Sequence, residues 1–370
     1  MTYKETLFFV AQSLTINHSE VNKAIIENQL KNNLVDWEAV VKLSTAHYVF
    51  PALYCNLKRA DFLHYVPEDL VEYMIHITNL NRERNQQIIE QAKEINTLLL
   101  ANNITPIFLK GTGNLLEGLY EDIAERMVGD IDFIFSQDDY RKAIKLLTNF
   151  GYSKVHDTTY DFPMFRHYPR LQQKNKIAAV EIHKELLLEK YADEFNYNII
   201  KKDTQNINDS NVMSYDNQLS LSIIAKQIND DGFFFKNIAL RNAYDVFLLS
   251  KKTVAKTAFH QFNTLKNPLT CFLASCHVVF NKIDSLEYHR THETKAYLKI
   301  FNEELEDEIL RKKRHKKTSR SLFIKMRLDI IYKAIFDKAY RNWLLKRTTD
   351  KNWQREKFIQ FGLKKSKPID

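Results

Sequence analysis

Asp130 and Asp132 stand two positions apart in RMVGDIDFIF, residues 126–135, inside an otherwise apolar run. In a strand, side chains alternate between faces, so both carboxylates point the same way, about 6.6 Å apart along the backbone. Ile131, with Phe133 and Phe135, then faces the other side and anchors the strand. Two ionised carboxylates on one face repel each other, and a cation between them relieves the repulsion. The same period recurs in AAVEIHKE, where Glu181 and His183 share a face opposite Val180 and Ile182. If the two segments are neighbouring strands, Glu181 approaches the aspartate pair. Carboxylates with no cysteine among them suit a hard ion, Mg2+ or Mn2+, rather than zinc. Such ions hold substrate phosphates. An Asp-x-Asp pair also marks edge strands and turns, and a single Glu on a strand is often only solvated. The combination is stronger than either part.

Lys110-Gly111-Thr112-Gly113 follows the apolar run PIFL. The glycines let backbone N–H groups approach a phosphate, and a helix start beyond them favours anions. Thr112 offers a hydroxyl and Lys110 a phosphate partner; a plain tight turn is the alternative. The GxxxxGK[ST] spacing of a P-loop is absent. Arg126 either holds a phosphate or neutralises the acidic cluster. His183 either bonds a carboxylate or phosphate or is structural. Arg166, His167 and Arg170, in FRHYPRLQQK, face a cleft or decorate a loop. Arg241 and Asp245 are four apart and form one pair on a helix, as an interdomain salt bridge or as a wall of the site.

The elements that would position these residues form three stretches. Residues 1–100 read as helical: Asp36 caps a helix, Pro51 kinks or restarts it, and a long helix ends at Asn102-Asn103. Residues 101–200 change character. ITPIFLK and DIDFIF read as strands, NLLEGLYEDIAER as a helix, and SQDDYRKAIKLLTNFGY as a helix capped by Ser136 and stopped at Gly151. KIAAVEIHKELL gives a further strand, so this stretch is a small α/β unit. The polar run 201–215 reads as a linker or surface loop, and residues 201–370 are otherwise helical.

The chain has 370 residues, 44% hydrophobic and 27% charged, a globular composition. Its net charge of +8 permits a nucleic-acid or nucleotide partner without requiring one. Cys55, Cys271 and Cys276 show no CxxC spacing, which argues against a disulfide framework or a zinc-thiolate site. The run LFFVA near the start is too short for a signal-peptide core, and no stretch has the apolar length to span a bilayer. A cytoplasmic protein is the expectation. Residues 311–320, RKKRHKKTSR, hold seven Lys/Arg in ten. They read as a solvated helix face, compensated by ELEDE at 304–308, or as a contact for nucleic acid or anionic lipid.

LKGTG, ERMVGDIDFIF and VEIHKEL together resemble the nucleotidyltransferase superfamily, the fold of DNA polymerase beta and its minimal relatives. More closely, the chain is similar to the bacterial family described as uncharacterised nucleotidyltransferases. Its N-terminal and following helical regions resemble Asp36 to Tyr54 and Leu240 to Leu249 here. The resemblance implies an α/β (α+β) core with a small mixed sheet, flanked by N- and C-terminal helical regions. It implies metal binding by Asp130, Asp132 and Glu181, with Glu181 where Asp is more frequent. It places Lys110, Gly111, Thr112, Gly113, Arg126 and His183 around a nucleoside triphosphate, with ATP the expected one. The implied activity is Mg2+- or Mn2+-dependent transfer of a nucleotide to an unidentified small molecule, peptide or protein, with pyrophosphate release. The alternatives are a non-catalytic nucleotide-binding or regulatory module, a toxin-neutralising nucleotidyltransferase, and phosphoryl transfer from the γ position.

Overall fold

The computed structural model describes residues 1–155, 162–163 and 165–360. Five helices come first: α1 (Tyr3–Ser13), α2 (Glu20–Lys31), α3 (Trp37–Ala46), α4 (Phe50–Arg59) and α5 (Glu68–Leu100). The Asp36 side chain accepts the Ala39 N–H and starts α3. Pro51 falls in the first turn of α4, where its missing N–H costs nothing, so the chain restarts there and is not kinked. Helix α5 runs 33 residues and ends before Asn103, whose φ of 56° turns the chain away.

The core then alternates. Strand β1 (Ile107–Phe108), α6 (Lys110–Glu117), β2 (Asp130–Ile134) and α7 (Gln137–Asn149) precede β3 (Ser153–Lys154), β4 (Leu171–Gln172) and β5 (Ala179–His183). Ser136 accepts the Asp139 N–H to cap α7, and Gly151, at φ 100°, makes the turn after it. Helix α8 (Tyr197–Ile200) leads to β6 (Gln205–Ile207) and β7 (Ser210–Val212). The sheet order is β3-β4-β5-β2-β1-β7-β6, with β2 and β5 parallel in the middle.

Residues 201–215 are therefore more than a linker: they contain a hairpin whose second strand pairs with β1 and extends the sheet. Its turn, Asn208-Asp209, has φ of 48° and 65°, the two left-handed residues that a tight hairpin requires. The strands escape a hydrophobicity pattern because each is three residues long and Gln205, Asn206, Ser210 and Asn211 are polar.

The remaining helices are α9 (Tyr215–Ile224), α10 (Gly232–Phe235), α11 (Leu240–Ser250), α12 (Lys266–Val279), α13 (His292–Glu306), α14 (Glu308–Phe336), α15 (Lys338–Thr349) and α16 (Lys351–Gln360). The chain forms two compact units. The first, Met1–Val155 with Arg166–Arg314, holds the whole sheet. The second comprises the described residues of 156–165 and 315–370, where the Phe162 ring meets Tyr340 and Trp343 edge-on at 5.6 and 4.9 Å.

The approach to β2 is clamped by helices. Asn81 and Asn85 of α5 donate to the carbonyls of Ile123, Ala124 and Arg126, and Arg82 pairs with Asp122 at 2.6 Å. The buried Glu125 carboxylate meets Arg59 of α4 at 2.6 Å and the Tyr244 hydroxyl of α11 at 2.5 Å. These bonds fix where β2 begins.

Candidate active site

Strand β2 places its apolar side chains as expected. Ile131 and Phe133 are fully buried, and Phe133 packs edge-on against Phe108 and Phe135. The parallel register sets Asp132 beside Glu181 and Ile134 beside His183. Two strands 49 residues apart in sequence thus bring their acidic side chains together. The Leu109 N–H bonds the Asp132 carbonyl at 2.9 Å, which delivers Lys110 to the same place.

Lys110 sits at the head of α6 with φ 51°, left-handed backbone that a lysine adopts at a cost of about 1 kcal/mol. Its ammonium lies 2.7 Å from Asp132, 3.4 Å from His183 Nε2 and 3.7 Å from Glu181. His183 Nε2 is 2.8 Å from the same Asp132 oxygen, while its Nδ1 is buried without a hydrogen-bond partner. Arg170 bridges the other side of the cluster, donating to Glu181 at 2.7 Å and to Asp130 at 2.8 Å.

The charges are unequal in consequence. Burial works against the Glu181 carboxylate, but bonding to His183, the Lys110 charge and Arg170 outweigh it and hold its pKa far below the carboxylate range. Burial raises the Asp130 pKa; Arg170 opposes this, while the negative charges of Glu181 and Asp132 add to it. For Lys110, burial disfavours the ammonium, yet Asp132 and Glu181 prevail and raise its pKa.

Asp132, Glu181 and His183 each present one ligand atom, all within 4.8 Å of one another. Two carboxylates and an imidazole fit Mn2+ or Mg2+, the imidazole favouring the former. The compact set differs from the three carboxylates read from the sequence. Asp130 has its carboxylate turned to Arg170, and His183 stands in the cluster instead.

Four further positions behave differently from their sequence reading. The Thr112 hydroxyl is buried and donates to the Asp130 carbonyl at 2.9 Å, so it ties α6 to β2. Gly113 is demanded by packing: a Cβ there would lie 3.0 Å from the Phe108 carbonyl oxygen, and its N–H already bonds Leu109. At Gly111 a Cβ would come within 2.9 Å of the Val128 side chain and 3.6 Å of the Arg126 guanidinium carbon. Arg126 pairs with Asp245 rather than with the acidic cluster. It is buried and meets both carboxylate oxygens of Asp245 at 3.0 Å, behind the turn. Asp245 also accepts from the Tyr120 hydroxyl at 2.7 Å.

Asp245 is therefore held by Arg126, and Arg241, read as its partner from their spacing, lies over the Tyr48 ring at 5.0 Å. Arg170 is the residue whose importance the sequence least discloses. His167 forms a β-bridge with His183, their rings 5.4 Å apart. Arg166 uses its carbonyl to accept from Lys184 and Glu185 just beyond β5. A separate cavity of about 290 Å3, lined by Lys256, His277, Glu287, Tyr288, His289 and Arg290, contains none of the acidic cluster.

A mixed α/β sheet carrying acidic residues side by side on its central strands, with a lysine delivered by the adjoining helix, is an architecture of the nucleotidyltransferase class. Residues 33–280 match the family described as uncharacterised nucleotidyltransferase, and the chain belongs to that family. The match begins before α3 and runs through α12, so it includes every residue of the cluster. No curated protein and no solved structure matches the chain.

Proposed function

We propose that the protein is a metal-dependent nucleotidyltransferase. It moves a nucleoside monophosphate from a nucleoside triphosphate, expected to be ATP, to an acceptor hydroxyl. The observation that carries this reading is Asp132 and Glu181 side by side across β2 and β5, with His183 on the same face. Those three side chains would hold Mg2+ or Mn2+, with Asp130 at the rim. A divalent ion bound there supplies positive charge for the phosphate oxygens and aligns the reacting groups.

Lys110 pairs with the Asp132 carboxylate, and its ammonium would turn to a phosphate oxygen of the bound triphosphate. The first-turn amides at Gly111 and Thr112 lie at the positive end of α6. Arg126 and Asp245 support that turn from behind. The acceptor oxygen bonds to the α-phosphorus and its proton passes to a carboxylate of the cluster. The bond from the α-phosphorus to the bridging oxygen breaks, and pyrophosphate leaves. Alignment and charge stabilisation provide most of the rate.

The test is to incubate the protein with each triphosphate, labelled at the α or the γ position, with Mg2+ or Mn2+ and a cell extract. Label arriving from the α position together with free pyrophosphate supports the reading; label arriving from the γ position refutes it. One observation favours a second reading, a nucleotide-binding module without turnover: Lys110 and Arg170 pair with the carboxylates that would hold an ion. Nucleotide binding that a chelator leaves unchanged, with no pyrophosphate released, is the outcome expected of that module.

A further inference from the structure

Residues 315–370 hold 16 Lys/Arg against 5 Asp/Glu, a larger positive excess than the +8 of the whole chain. The charge of this protein is thus concentrated in its C-terminal unit. The same unit exposes apolar side chains to an unusual degree. Ile324, Leu328, Ile331 and Ile335 of α14 are 57%, 61%, 53% and 62% exposed. Their spacing of four, three and four residues places them within about 60° of one another on a helix, a stripe about 16 Å long. Single exposed aliphatic side chains are ordinary, but four in line are a binding surface. Traced toward the start of the helix, the stripe continues into Lys317 and Arg320.

We infer that the distal half of α14 docks on a membrane surface rich in anionic lipid. Charge and apolarity on one face select this occupant. A second copy would set one basic helix against another, and like charges repel. A nucleic acid would satisfy the lysines and arginines but offers nothing to a row of aliphatic side chains. Anionic lipid takes both: headgroups meet Lys317 and Arg320, and the acyl boundary receives Ile324, Leu328, Ile331 and Ile335. Among the described residues no helix is long and apolar enough to cross a membrane, so α14 lies on the surface. The docking is independent of the nucleotidyl-transfer reading and uses none of its residues.

The test is sedimentation of the full-length chain with vesicles of phosphatidylserine and phosphatidylcholine, and with vesicles of phosphatidylcholine alone. Binding roughly tenfold tighter to the anionic vesicles, and weakened by salt, is expected. Leu328→Ser with Ile331→Ser should lower that binding about tenfold, as should Lys317→Gln with Arg320→Gln, with circular dichroism unchanged in both. Equal binding to both vesicle types, or to neither, overturns the inference. So does binding to single-stranded RNA in preference to vesicles, or a lipid-free dimer that the Leu328→Ser, Ile331→Ser variant dissociates.

Discussion

Asp132 takes close contacts from both Lys110 and His183 and stands beside Glu181 across the strands. Asp132→Ala should reduce nucleotide transfer by at least about a hundredfold while leaving the fold intact, measured as pyrophosphate release at saturating metal. Transfer at the wild-type rate with unchanged metal dependence would refute its assignment. Asp245 lies behind the site. Asp245→Asn leaves the buried Arg126 guanidinium without its counter-charge, at about 3–5 kcal/mol, read from the urea midpoint. A loss under 1 kcal/mol would mean that Arg126 finds another partner. The acidic residues were legible in the sequence because a strand's period of two is a local rule. The partners of Arg126 and Thr112, Asp245 and the Asp130 carbonyl, are chosen by tertiary packing that no local spacing encodes. The same limit made Arg241 look like the partner of Asp245, when the guanidinium sits over Tyr48.

Helix α6 is held to the sheet more tightly than a phosphate loop would be. Its first turn is locked by the Thr112 bond to β2 and by the close approach of Gly113 to the Phe108 carbonyl. Gly113→Ala must therefore push against backbone, which cannot rotate aside. A loss of about 1–3 kcal/mol is expected in chemical denaturation, with a fall in transfer because Lys110 moves with the turn. A stable and fully active alanine variant would show that the helix can slide. The long helices, the caps at Asp36 and Ser136 and the two central strands could be read from the sequence, since capping and periodicity are near-neighbour effects. The hairpin β6–β7 could not be read from hydrophobicity, because its strands are three residues long and mostly polar. Its one signal was the Asn208-Asp209 turn.

Across the molecule, several side chains join the helices before the sheet to those after it, and His47 is one that titrates. His47, just beyond α3, accepts the Leu240 N–H at the start of α11 through Nδ1 at 3.1 Å. Burial, with Lys226 adding to it, lowers its pKa from 6.5 to about 4. The unfolded chain therefore takes up the proton first as the pH falls. Stability contributed by neutral His47 is complete above pH 6.5 and declines between 6.5 and about 4, by about 3 kcal/mol at most. Melting temperatures followed over that range should fall more steeply for the native chain than for His47→Gln, whose amide oxygen can still accept the bond. Parallel curves would place the acid sensitivity elsewhere. The family match stops at residue 280, and the basic apolar surface of α14 lies beyond it. The portion of the chain beyond the family match thus includes the stretch with the greatest positive charge.

The parallel pairing of β2 with β5 fixes when the chain can acquire its chemistry. While the polypeptide is being synthesised, Asp132 emerges well before the strand bearing Glu181 and His183. Until that later strand has been released and docked, Asp132 stands without Glu181 and His183, and no nascent fragment ending short of it assembles the cluster.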